Sequence, residues 1–151
     1  MAANALVVFY SRYGKTEQLA LAAGVGAIQE RANIRLRRLP DLTDASVIRA
    51  DAAWTENLDR MRREYIAPRE IDIQWAEVLI LAAPQDRTAE MELFLDTLGE
   101  SVRGKIGLAI GTFAAEAAKT GLIVGAVAGR PEDATAAARE AVKRAKGVGR
   151  G

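Results

Sequence analysis

Leu6-Val7-Val8-Phe9-Tyr10-Ser11-Arg12-Tyr13-Gly14-Lys15-Thr16 passes from a continuous apolar run, through a short polar turn, into the helix-forming segment 17–30. An apolar run of this length and β-branched content predicts a strand buried on both faces. A helix that starts at the carboxyl end of a parallel strand aims its unpaired N–H groups, and the positive end of its dipole, into the crevice there. An anion fits such a place with no further device. Ser11 and Thr16 add hydroxyls, Lys15 adds a charge, and Gly14 lets the backbone approach a ligand or take a positive φ. The stretch from Ser11 through Arg12, Tyr13, Gly14 and Lys15 to Thr16 therefore predicts a phosphate cradle.

Two other readings compete with it. Gly14-Lys15-Thr16 is like the end of a Walker A loop, but that motif needs a glycine five positions earlier, where Phe9 stands. A polar strand-to-helix turn that binds nothing is the second.

Working outward, the first helix is expected to end near Arg31, with Asn33 as a left-handed cap. Its apolar positions are mostly small, and Gly24-x-Gly26 lies too deep in the helix for a dinucleotide fingerprint, so close packing of helix on sheet is expected there. Residues 33–39 alternate, Ile34 and Leu36 against Arg35 and Arg37, as in an edge strand. Residues 41–74 predict one helix, 52–63, with its arginines and acids on a solvated face. Val78-Leu79-Ile80-Leu81 and Ile106 to Ile110 predict two more buried strands, and 121–127 a fifth. Thr88 is expected to cap a helix burying Met91, Phe94, Leu95 and Leu98, with Gly99 at its end. A short helix is expected over 114–119. Pro131, Glu132 and Asp133 open a last helix whose Ala134, Ala137, Ala138, Ala141, Val142 and Ala145 share a face.

Five strands alternating with helices predict a doubly wound α/β parallel sheet. Parallel strands put all their carboxyl ends together, so Pro84-Gln85-Asp86-Arg87-Thr88 and Gly111-Thr112-Phe113 are expected beside the phosphate loop.

Composition narrows the chemistry. With 151 residues, 50% apolar, 27% charged and a formal charge of +1, the chain suits one domain over 1–151 and carries no strong field for nucleic acid or membrane. No apolar stretch is as long as a membrane span and no cleavable leader is read, so a cytoplasmic protein is expected. Zero Cys and zero His exclude thiolate nucleophiles, a Ser-His-Asp triad and the usual zinc sites. Redox chemistry would need a bound cofactor.

The loop Ser11-x-Tyr13-Gly14-Lys15-Thr16 resembles that of the flavodoxin-like flavoproteins, in particular the tryptophan-repressor-binding-protein type of NAD(P)H:quinone oxidoreductase. Met91, Phe94-Leu95-Asp96 and Gly104-Lys105 also look like that family. The resemblance implies strand order 2-1-3-4-5 and an FMN whose 5′-phosphate sits in the loop. It further implies NAD(P)H as electron donor, quinone-like acceptors, and a homo-oligomer with its sites near subunit boundaries. The second loop, Thr-Pro-Thr-Arg-Phe-Gly in the family, keeps only Pro84, with Gln85, Asp86 and Arg87 at the following positions. The third is reduced to Thr112 and an alanine-rich segment. No side chain stands out as a catalyst. A neighbouring subunit is expected to complete the short pocket, with Trp54, Tyr65 and Phe113 as its aromatic wall. The rival is a non-catalytic flavodoxin-like binding or assembly module, holding a phosphate-bearing ligand or nothing. A response-regulator receiver is disfavoured, because Ala82-Ala83-Pro84 stands where its acidic site would be.

Overall fold

The apolar run at the N-terminus forms β1 (Asn4–Phe9), and every residue of it from Ala5 onward is buried. The computed structural model describes residues 2–127 and 129–148, so the outermost residues of the 1–151 span, and residue 128, lie outside the described residues. The chain continues through α1 (Lys15–Gln29), β2 (Asn33–Arg38), α2 (Ala45–Arg49), α3 (Ala52–Glu64) and α4 (Glu70–Trp75). β3 (Val78–Ala82), α5 (Ala89–Thr97), β4 (Ile106–Ile110), α6 (Ala114–Ala118), β5 (Ile123–Val127) and α7 (Pro131–Val148) follow.

All four strand pairings are parallel and the order is β2-β1-β3-β4-β5, as the resemblance implied. The period-2 alternation of a strand sends successive side chains to opposite faces. Ala5, Val7 and Phe9 therefore join Val78, Ile80, Ala82, Ile106, Leu108 and Ile110 under the alanine faces of α1 and α7. Leu6, Val8 and Tyr10 join Leu79, Leu81 and Ala109 against Met91, Phe94, Leu95 and Leu98 of α5. Because both faces are covered, the central strands need no polar alternation, which is why they read as unbroken apolar runs. Among the described residues no helix is long and apolar enough to cross a membrane.

Several local expectations are corrected. Arg31, not Asn33, takes the left-handed position after α1, with φ 62°. Asn33 already belongs to β2, and its side-chain amide donates to Asn4 Oδ1 at 3.0 Å. Gly26 does not pack on the sheet. A Cβ there would lie 2.2 Å from the Thr135 carbonyl oxygen of α7. Thr88 precedes α5 but makes no side-chain cap bond. β5 starts later than read, and Ile123 is exposed, because the strand forms the open edge of the sheet.

The arginines of β2 pair with a buried acid. Arg37 donates to both oxygens of Asp72 in α4, at 2.9 and 3.1 Å, and Arg35 to one at 3.1 Å. The Arg69 backbone N–H adds a third partner at 2.9 Å. Asp72 is fully buried. Burial alone would push its carboxyl up, but the Arg37 bonds, the Arg69 N–H and Arg35 outweigh it and hold the group at about 2. A depressed carboxylate contributes stability above its unfolded value, near 4, that disappears as pH falls through the folded one. Acid unfolding should therefore show roughly 2 kcal/mol lost between about pH 4 and pH 2, a limb that Asp72→Asn removes. Denaturant midpoints measured across that window check it.

Candidate functional site

Four loops meet at the carboxyl edge of the sheet and enclose a cavity of about 610 Å³. Its walls are Ser11, Arg12 and Tyr13 from the loop after β1, Lys15, Thr16 and Leu19 of α1, Ala83 to Arg87 after β3, Ile110 and Gly111 at the end of β4, and Gly129 and Arg130 before α7. The size is that of a small-molecule or cofactor site.

The loop after β1 is built so that its amides stay free. Ser11, 1% exposed, accepts the Gly14 N–H on its hydroxyl oxygen at 3.1 Å, which closes the turn. Gly14 has φ 99°, a region that only glycine enters without strain. α1 then begins at Lys15, and its first internal bond runs from the Gln18 N–H to the Gly14 carbonyl. Among the described residues the backbone N–H groups of Arg12, Tyr13, Lys15, Thr16 and Glu17 have no acceptor. Donors left open around one turn are costly unless solvent or an anion takes them. A row of N–H groups at a helix start fits a phosphate. Lys15, Arg87 and Arg130 stand around the same cavity as exposed cations, with Asp86 as its one acid among the described lining residues.

Glu17 would oppose an anion in the first turn of α1, but its charge is absorbed from below. Arg60 reaches it from α3 with a fork at 2.6 and 3.0 Å, and Tyr65 donates at 2.6 Å. The Arg60 bonds hold the Glu17 carboxyl below its ordinary range, against burial, which pushes it up. Tyr65 packs edge-on against Phe9 with centroids 5.0 Å apart, and burial pushes its phenol well above the ordinary value.

Arg12 contributes wall and backbone rather than a free charge. Its guanidinium lies 4.0 Å over the Trp54 ring and donates to the Tyr10 hydroxyl at 2.8 Å and to Thr43 at 3.1 Å. Tyr13 is the exposed aromatic of the rim, 52% accessible, and donates to Asp51 at 2.6 Å. That bond raises the Tyr13 phenol above its usual range and lowers the Asp51 carboxyl.

Gly14 and Thr112 belong to the loops but not to the cavity wall. Thr112, exposed, donates to the Gln85 carbonyl at 3.3 Å and so ties the second loop to the third. Gly111, with φ 137°, lets the third loop pass within 2.8 Å of where its Cβ would strike the Ala83 carbonyl oxygen. Trp54 and Phe113 are 3% and 1% exposed, so neither can wall a neighbour's pocket, and Tyr65 is committed to Phe9 and Glu17. Gly129 and Arg130 were not anticipated. The signal was their place at the carboxyl end of the fifth strand, shared with the other three loops.

No protein-family model matches the chain. Over 96 residues, 62% of this chain, it is 29% identical to an NAD(P)H dehydrogenase (quinone) of Deinococcus radiodurans, of which 48% is covered. Over 45 residues, 30% of this chain, it is 47% identical to the enzyme of the same name from Brucella suis, of which 23% is covered. The chain thus spans about half the length, or less, of the curated relatives it matches. A flavodoxin from the domain Archaea superposes with a TM-score of 0.64 at 18% identity, covering 95% of this chain and 99% of that one. The fold is that of the flavodoxins, and the chain is similar in sequence to proteins of the NAD(P)H dehydrogenase (quinone) type.

Proposed function

We propose that this chain, acting as one domain, binds FMN in the crevice and passes electrons from NAD(P)H to quinones or similar acceptors. The observation that carries the reading is the set of open amides of Arg12, Tyr13, Lys15, Thr16 and Glu17 leading into α1, in a chain similar to NAD(P)H dehydrogenases (quinone). Ser11, Tyr13, Gly14, Lys15 and Thr16 would hold the 5′-phosphate, with Arg12 taking part through its N–H. Ser11 uses its oxygen on Gly14, which leaves its hydroxyl hydrogen to donate, and Lys15 adds charge. Pro84, Gln85, Asp86 and Arg87 would face the ring, with Thr112 fixing the Gln85 carbonyl.

A bound flavin supplies the electron or hydride transfer, for which this chain has no side chain of its own. The protein's part is to anchor, orient and shield. Asp86 sets a negative charge beside the ring position, and its neighbour Arg87 offsets it. Because the third loop is short, we place a second copy of the chain beside the crevice to cover the ring, as a homo-oligomer, and expect weak turnover.

Affinity should depend on the phosphate end. Thr16→Ala removes one donor, which costs about 1–3 kcal/mol, or roughly ten- to a hundredfold in FMN affinity. Riboflavin, which lacks the phosphate, should bind the parent protein poorly and be indifferent to the substitution. Fluorescence titration of both flavins measures this, and equal affinity for FMN and riboflavin would sink the phosphate assignment. Benzoquinone reduction with NADH or NADPH and excess FMN, alongside a light-scattering mass, tests the catalytic half. A monomer with rapid turnover would show that no second copy is needed.

A further inference from the structure

The first residue of the phosphate loop is gripped from behind. Arg38, the last residue of β2, donates from its terminal nitrogen to the Ser11 carbonyl at 2.8 Å. Both residues are buried, at 7% and 1% exposure. The same nitrogen reaches Asp41 at 3.2 Å, and the guanidinium lies 5.5 Å from the Tyr10 ring centroid. Asp41 is fixed in turn by the Tyr10 hydroxyl at 2.7 Å and by the Trp54 indole at 3.3 Å.

A planar trans peptide points its carbonyl and the following N–H in opposite directions. No peptide bond among the described residues is cis. With the Ser11 oxygen drawn toward Arg38, the Arg12 N–H is turned the other way. Arg12 lines the large crevice, whereas Arg38 lines a separate cavity of about 250 Å³ with Asp41, Thr43 and Tyr65. The Ser11–Arg12 peptide thus sends its carbonyl toward Arg38 and its N–H the opposite way, and Ser11 and Arg12 both line the large crevice. Arg12 cannot swing to undo this, since its side chain is clamped on Trp54, Tyr10 and Thr43.

We propose that Arg38 is a positioning residue of the phosphate loop, holding the Ser11 carbonyl so that the Arg12 N–H faces the crevice as a donor to the ligand's phosphate. The inference rests on the phosphate reading above. It accounts for a burial that stability alone disfavours: the Arg38 Nε has no acceptor among the described residues, and a desolvated guanidinium with an idle N–H is a poorer core residue than an apolar one. Orientation ahead of binding is the return, because an amide that is already aimed loses nothing by turning when the anion arrives.

The experiment compares FMN and riboflavin binding by the full chain with that of R38Q and R38K. R38Q should lose roughly tenfold in FMN affinity with riboflavin affinity unchanged, and R38K, which keeps the charge and a donor, should recover much of it. Equal losses for both flavins, or no loss for either, would overturn the proposal. Should R38Q fail to fold, the parent protein decides: on titration with FMN or with inorganic phosphate, the Arg12 amide proton moves downfield, as an N–H taking an anionic acceptor does. An unmoved Arg12 resonance beside shifted Lys15 and Thr16 resonances overturns the role given to Arg38 and leaves the phosphate site standing. A parent protein that does not prefer FMN to riboflavin overturns the phosphate reading itself, and this inference with it.

Discussion

Asp72→Ala should cost about 3 kcal/mol, at the lower end of what removing one partner from a buried ion cluster costs. The carboxylate accepts from Arg35, Arg37 and the Arg69 backbone, and all of these lose their acceptor at once. The expected loss stays at the low end because the Arg35 and Arg37 side chains are 34% and 15% exposed and can turn toward water. Arg35 also keeps its contact with the Trp75 ring at 4.1 Å. Since Asp72 ties α4 to the edge strand, the same substitution should raise amide exchange in β2 and α4 before it does so in β3 or β4. Urea unfolding gives the energy and hydrogen exchange gives its location. A loss under 1 kcal/mol would show that the arginines stabilise each element separately.

Two glycines on one helix should respond in opposite ways. In a helix interior Gly→Ala gains up to about 1 kcal/mol of propensity, and what the new methyl meets decides the sign. At Gly24 the nearest atoms are the Ile34 and Leu36 methyls at 3.5 and 4.0 Å, an ordinary contact, so Gly24→Ala should stabilise. At Gly26 the methyl would lie 2.2 Å from the Thr135 carbonyl oxygen and 3.1 Å from its Cα, and backbone cannot rotate aside. There α1 and α7 must separate, which also strains the bond from the Thr135 hydroxyl to the Ala22 carbonyl, 2.9 Å. Gly26→Ala should therefore lose about 3 kcal/mol, on the order of 10 °C in Tm for a chain of this size. Thermal melts of the two variants side by side test this, and a Gly26→Ala protein as stable as the parent would mean that the helices do not approach so closely.

The central strands were legible because burial on both faces leaves only apolar side chains, as Val7-Val8-Phe9 and Leu79-Ile80-Leu81 show. α7 was legible because proline, acids, an alanine face and a basic end agree along its length. α2 and α4 were not, since helices as short as Ala45–Arg49 and Glu70–Trp75 complete too few turns to display a period. Missing α4 had a cost elsewhere: without Asp72 in place, nothing in the alternation of β2 pointed to an acid that Arg35 and Arg37 would pair with. The loop after β1 and its place at the crevice were visible from local order alone, whereas Arg38 behind it, Arg60 beneath Glu17 and Arg130 at the rim come from 27, 43 and more residues away and leave no local trace.

The seam between α1 and α7 has a further consequence, for the order in which the protein is made. Thr135 bonds to Ala22 across 113 positions and Lys146 to the Glu30 carbonyl across 116, so the alanine face of α1 meets its cover only after about a hundred further residues have been joined. Contacts at such separation form late and slow the search for the native state. During synthesis, at roughly 5–20 residues per second, β1 and α1 wait several seconds for α7. Through that interval the helix that begins at Lys15 has one unsheltered flank, and a nascent chain truncated before Pro131 should need a chaperone to stay in solution, whereas one that has cleared Ala145 should not.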